Sequence, residues 1–125
     1  FSSKTTTSST VILLELARLF NKLYSQPRTQ SQYNILFLLT TGGHFNYYGS
    51  KQWLNEIDDR LAKSLEFVIC LDSLGEVSDS LYLHTSRPEK DPITKRLYNS
   101  FIEASKVLGM NLEVKQKKVN LSNTE

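Results

Sequence analysis

The sequence predicts an α/β domain, three-layer α/β/α with a mostly parallel sheet, and three observations carry that expectation. Two uninterrupted apolar runs, Tyr33–Thr40 and Glu66–Asp72, have the length and side chains of strands buried on both faces. A helix-period segment, Tyr47–Ser64, lies between them, and strand, helix, strand in that order implies a right-handed parallel crossover. Strand and helix patterns then continue to alternate toward the C-terminus, as they do when helices cover both faces of a sheet.

The elements follow in order. Residues 1–10 are polar and low in complexity, and Ser8, Ser9 or Thr10 is the expected N-cap of a first helix. That helix spans Val11–Tyr24, with Leu13, Leu16, Ala17, Phe20 and Leu23 on one face and Leu14 and Leu19 widening the stripe. The first buried strand, 33–40, ends in a glycine-containing turn over 41–46. In the second helix Gly49, Trp53, Ile57 and Leu61 recur every four residues, and Gly49 permits close approach to the sheet. Cys70, inside the second strand, reads as a small buried hydrophobe. Ser80–Ser86 is a third strand. Asp91 and Pro92 supply the cap and first position of a third helix that runs to Leu108, with Gly109 as its C-terminal stop. The apolar side of that helix is Ile93, Leu97, Tyr98, Phe101, Ile102 and Leu108. Leu112–Val119 is a final strand whose polar positions place it nearer a sheet edge. Residues 11–119 therefore read as part of one α/β domain, between the polar segment 1–10 and a tail, 120–125.

Composition narrows the function. With 125 residues, 39% of them apolar and 22% charged, the chain suits a single globular domain. A formal charge of +2 is too small for a nucleic-acid or anionic-membrane footprint, and Lys115, Lys117 and Lys118 read as a solvated strand face. No apolar stretch approaches the roughly 20 residues of a membrane span, and no secretory leader is apparent. Beginning at Phe1, the chain reads as a piece of a longer protein. Its single cysteine precludes an internal disulfide and a cysteine-based metal cage.

Open parallel sheets place their sites beyond the carboxyl ends of the strands. Those ends here are Thr41-Gly42-Gly43-His44 and Asp72-Ser73, so His44 and Asp72 are expected to face one crevice. A hydrolytic zinc site needs at least three protein ligands and a carboxylate base, and one His with one Asp falls short. A serine-nucleophile elbow is absent, and Gly42-Gly43 lacks the remainder of any phosphate-binding pattern. His84, within a strand pattern, reads as structural. No cofactor is implied, and no working catalytic or metal site is expected from these residues.

The segments LLELARLFNKLY, YNILFLLTTGGHFNYYGSKQWL, FVICLDSLG, LYLHTSRP and KKVNL resemble the nicalin family, relatives of nicastrin. The likeness covers nearly all the chain from Val11, and GGHFNYYGSKQW is its most specific part. That family is in turn similar to the two-zinc aminopeptidases. Carried over through LLELAR, the resemblance puts Thr5 where those enzymes have an Asp bridging both metals. Carried over through Gly49-Ser50, it puts Gly43 at the general base and His44 at a metal ligand. Cys70-Leu71-Asp72-Ser73 matches an Asn-Leu-Asp-Met segment, which gives Asp72 a ligand position. Thr5, Gly43, His44 and Asp72 are thus the degenerate former active-site positions. Gly43 has no proton acceptor and Thr5 no charge, while His44 and Asp72 would serve different metals.

The resemblance implies a non-catalytic pseudo-peptidase: a lumenal scaffold domain of an endoplasmic reticulum membrane protein. It implies assembly with Nodal modulator and a small multi-pass membrane protein at the translocon. Membrane protein biogenesis and Nodal signalling are the roles that follow, with membrane attachment through segments outside this chain. The alternatives are a zinc-dependent aminopeptidase whose remaining ligands lie elsewhere, or a peptide-binding pseudo-enzyme. Asn120-Leu121-Ser122 is an N-glycosylation sequon.

Overall fold

Helix α1, Lys4–Tyr24, opens the N-terminal of two compact units, Phe1–Gly75 and Glu76–Glu125, in a computed structural model that describes residues 4–41, 47–72, 74, 80–85 and 91–116. The helix begins earlier than the expected Val11, so Ser8, Ser9 and Thr10 are interior residues and not caps. Each Ser or Thr costs only about 0.5 kcal/mol against Ala in a helix, too little to stop one whose later turns carry an apolar face. That face comprises the half-buried Ile12, Leu13, Leu16, Ala17, Phe20 and Tyr24. Leu14 and Leu19 are exposed, correcting the wider stripe. At 100° per residue each lies about 110° from the centre of the buried face, one on either side.

Residues 33–40 run beside α1. The rings of Phe20 and Phe37 stand 6.3 Å apart, and the Tyr24 hydroxyl donates to the Tyr33 carbonyl at 2.6 Å. Neither 33–40 nor 66–72 forms a strand: among the described residues the only sheet has two strands, both from the other unit. The predicted crossover between these runs is therefore not formed. Apolar alternation or continuity selects an extended backbone, but a strand also requires a ladder partner, and neither run has one. Leu36, Leu39, Val68 and Ile69 are correspondingly exposed, and so is Cys70, against the expectation of burial.

The second predicted helix is two. Helix α2 spans Tyr48–Glu56 and helix α3 spans Asp59–Ser64. Ile57 turns extended, and Asp58 caps α3 by accepting from the Arg60 backbone N–H at 3.0 Å. The half-buried side of α2 holds Gly49, Ser50, Trp53 and Ile57, as the four-residue spacing predicts. Leu61 lies past the break, out of phase with that side, and is exposed.

The C-terminal unit realises the α/β reading most directly. Strand β1 (Ser80–Thr85), helix α4 (Pro92–Val107) and strand β2 (Asn111–Gln116) form a parallel crossover, with α4 packed on β2. The register runs from Ser80↔Asn111 to Thr85↔Gln116. Leu81 and Leu83 pair with Leu112 and Val114, all less exposed than the alternate positions Tyr82, His84, Glu113 and Lys115. Lys115 holds its ammonium 3.9 Å from the Tyr82 ring centroid, so its charge serves the outer strand face as read. Lys117 and Lys118 lie outside the described residues.

Helix α4 begins where predicted. Asp91 accepts from the Ile93 N–H at 3.4 Å and from the Thr94 hydroxyl at 2.7 Å, and Pro92 follows at the first helical position. Leu97, Tyr98, Phe101 and Ile102 form the half-buried side, and the Tyr98 hydroxyl donates to the Thr85 hydroxyl. Ile93 and Leu108, expected on that side, are exposed. At 100° per residue Ile93 lies about 110° from the centre of that side, and Leu108 follows the last helical residue.

The helix stops in a Schellman arrangement: Gly109 N–H bonds to the Lys106 carbonyl at 3.2 Å and Met110 N–H to the Ser105 carbonyl at 2.9 Å. Gly109 sits at φ +65°, where a Cβ is disfavoured. Gly109→Ala is expected to cost about 1 kcal/mol in a denaturant melt, through backbone conformation alone, since nothing lies within 4 Å of the added carbon.

Candidate functional site

The site-bearing end of the N-terminal unit is built from three short pieces: 40–41, 47–50 and 70–72. The Gly49 N–H donates to the Thr41 carbonyl at 3.2 Å, and the Thr40 and Ser50 hydroxyls share a hydrogen bond of 2.9 Å. These two contacts dock the start of α2 against the end of the 33–40 run. A Cβ on Gly49 would sit 2.3 Å from the Thr41 carbonyl oxygen, so the approach depends on glycine. The sequence pointed to Gly49 as a close-approach residue, and the structure supplies the atom it approaches.

Tyr47 precedes α2 in the left-handed region, φ 56° and ψ 39°. Among the described residues it alone, apart from glycine, has positive φ. For a residue with a Cβ this costs about 1–2 kcal/mol. Its side chain makes no cap bond to the helix. The hydroxyl donates instead to Asp72 Oδ2 at 3.1 Å, across 25 residues of sequence. That bond, which ionisation of the phenol would forfeit, is the main reason the Tyr47 pKa is raised above 10.0. The Asp72 charge, slight burial and Cys70 add to it in that order.

Asp72 is thus the one expected site residue whose side-chain geometry is described. Thr5 falls in the first turn of α1, whereas Gly43 and His44 lie outside the described residues, as does Asn120. The expected pairing of His44 with Asp72 lies outside the described residues; Tyr47 is the described partner of Asp72. Sequence reasoning missed Tyr47. Only its place between a predicted strand end and Gly49 marked it, and nothing in a tyrosine signals positive φ.

A separate shallow groove of about 360 Å³ lies beside the Phe20–Phe37 contact, lined by Ala17, Phe20, Asn21, Tyr24, Asn34, Ile35 and Phe37. Its lining is mainly apolar and includes neither Tyr47 nor Asp72. Among the described residues no three of His, Cys, Asp and Glu converge as metal ligands.

The model of peptidase family M28 matches residues 6–124. The chain belongs to peptidase family M28. Membership gives the α/β body its class, an aminopeptidase-like fold with parallel strands, and agrees with the β1–α4–β2 crossover. Within family M28 the chain is similar to nicalins. It is 53% identical over 89 residues to the zebrafish BOS complex subunit ncln, covering 67% of this chain and 15% of that protein. With the chicken BOS complex subunit NCLN the identity is 41% over 123 residues, 92% of this chain and 22% of the relative. A Caenorhabditis elegans protein named Nicalin is 29% identical over 137 residues, 92% of this chain and 24% of the relative. The chain therefore spans less than a quarter of the length of these curated relatives. No solved structure matches it.

The residues of this chain do not fit the two-zinc centre that the resemblance implies. Asp72 Oδ2 accepts a hydrogen bond from the Tyr47 hydroxyl. Gly43 has no donor atom on a side chain, and the hydroxyl of Thr5 is neutral, so neither position supplies an anion.

Proposed function

We propose that the chain is part of a non-catalytic, lumenal scaffold domain of a nicalin-type endoplasmic reticulum membrane protein. In this reading the whole protein assembles with Nodal modulator and a small multi-pass membrane protein at the translocon, and acts in membrane protein biogenesis and Nodal signalling. The observation that carries it is the kind of protein the chain resembles: several relatives are named BOS complex subunits, although the domain belongs to a peptidase family. The donor set agrees with loss of catalysis, because a water cannot be activated by glycine at the general-base position. No helix among the described residues is long and apolar enough to cross a membrane, so the reading assigns the anchor to other segments of the protein.

The test uses the complete protein, tagged and extracted from microsomes in mild detergent, with its co-purifying proteins identified by mass spectrometry. Nodal modulator and a multi-pass partner are expected in stoichiometric amounts, and recovery of the protein alone would overturn the assembly. The same preparation, supplied with zinc and unblocked dipeptide substrates, is expected to cleave none. Cleavage abolished by Asp72→Ala would restore the enzyme reading. Residence in the lumen also makes Asn120 a glycan acceptor. Glycosidase treatment is expected to shift the wild type and not Asn120→Gln, and an unshifted wild type would remove the glycan from this account.

A further inference from the structure

We propose that Tyr47 and Asp72 form a latch, in which a phenolic proton takes the place at Asp72 that a cation would hold, tying the entrance of α2 to the end of the 66–72 run. The inference rests on the non-catalytic reading and adds a residue and a role to it.

Three observations meet at this pair. The bond joins residues 25 apart, whereas the other described side-chain hydrogen bonds of α2 and α3 reach ten residues or fewer. Tyr47 occupies the position just before a helix, where a side chain ordinarily serves the first N–H groups. Its side chain forms no such bond and goes to Asp72. Its backbone also adopts the disfavoured left-handed conformation, which persists only where surrounding contacts hold it. The docked segment directly follows, at Gly49 on Thr41 and Ser50 on Thr40.

The chemistry explains why the substitution is self-sufficient. A divalent cation at Asp72 would need several further anionic or imidazole donors around it. A phenol is neutral and satisfies one carboxylate oxygen with one proton, so it requires no second acid.

Hydrogen–deuterium exchange on the complete protein tests this, with Tyr47→Phe, Asp72→Ala and the double variant. Loss of one net hydrogen bond is expected to raise exchange about threefold to tenfold in peptides covering 47–50 and 69–72. The double variant should not exceed Asp72→Ala, which removes this contact together with whatever else the carboxylate holds. Unchanged exchange in Tyr47→Phe, or additive effects in the double variant, would overturn the latch while leaving the non-catalytic reading intact. A wild-type sample titrated with zinc chloride supplies the other arm. No change is expected, whereas zinc-dependent protection at 69–72 that disappears in Asp72→Ala would overturn the latch and the non-catalytic reading together.

Discussion

Gly49→Ala is expected to cost the N-terminal unit about 2–3 kcal/mol, the range of a buried overpacking substitution. The added methyl would meet the Thr41 carbonyl oxygen at 2.3 Å, and the Thr41 backbone nitrogen and Thr40 Cβ at 3.1 and 3.2 Å. A flexible side-chain tip could swing aside, but the nearest obstacle is backbone. Relief requires α2 to back away, lengthening the 3.2 Å Gly49–Thr41 bond and the 2.9 Å Thr40–Ser50 bond together. Chemical denaturation of the complete protein, with exchange measured over 40–56, is the check. Ser50→Ala is the control: it removes one hydrogen bond without adding volume, and should cost about 1 kcal/mol. Equal losses in the two variants would mean that the close approach is unimportant.

Asp91→Ala is expected to destabilise the C-terminal unit by about 2 kcal/mol. An N-cap replacement alone accounts for about 1 kcal/mol. Asp91 also accepts from Thr94, whose side chain lies in a residue only 4% exposed, so the substitution takes a partner from a buried hydroxyl. Asp91→Asn keeps one oxygen acceptor where the carboxylate offers Oδ1 to the Ile93 N–H and Oδ2 to the Thr94 hydroxyl, and should recover about half of the loss. A melt monitored at α4, in which Asp91→Ala and Asp91→Asn are indistinguishable, would assign the stability of this helix start to Pro92 instead.

The C-terminal unit was largely legible because its signals are local. Asp91-Pro92 and Gly109 bracket α4 within two residues of its observed limits, and the alternation of Leu81, Tyr82, Leu83 and His84 gives the strand its two faces. In the N-terminal unit the apolar runs carry a buried-strand pattern and form no strand, because pairing depends on a neighbour that composition does not encode. The break at Ile57–Asp58 was legible in principle: Asp58 is a better cap than a helix-interior residue, and the four-residue pattern ending at Leu61 masked it. Of the candidate site, Asp72 is marked by its place after an apolar run. Tyr47 is not, because its role comes from a backbone angle and from a partner 25 residues away.

Strands β1 and β2 meet at positions 31 residues apart. Bringing the ends of a flexible chain of that length together carries an entropy cost of about 3 kcal/mol before the first ladder bond forms. Helix α4 holds 16 of the intervening residues in about 24 Å, so a formed helix leaves far less chain to close. The expected order of folding events is therefore α4 first, with its Asp91 start and Gly109 stop, and pairing of the parallel strands afterwards. Substitutions that weaken either end of α4 should therefore slow refolding of this unit as well as lower its stability, placing both caps on the kinetic path to the sheet.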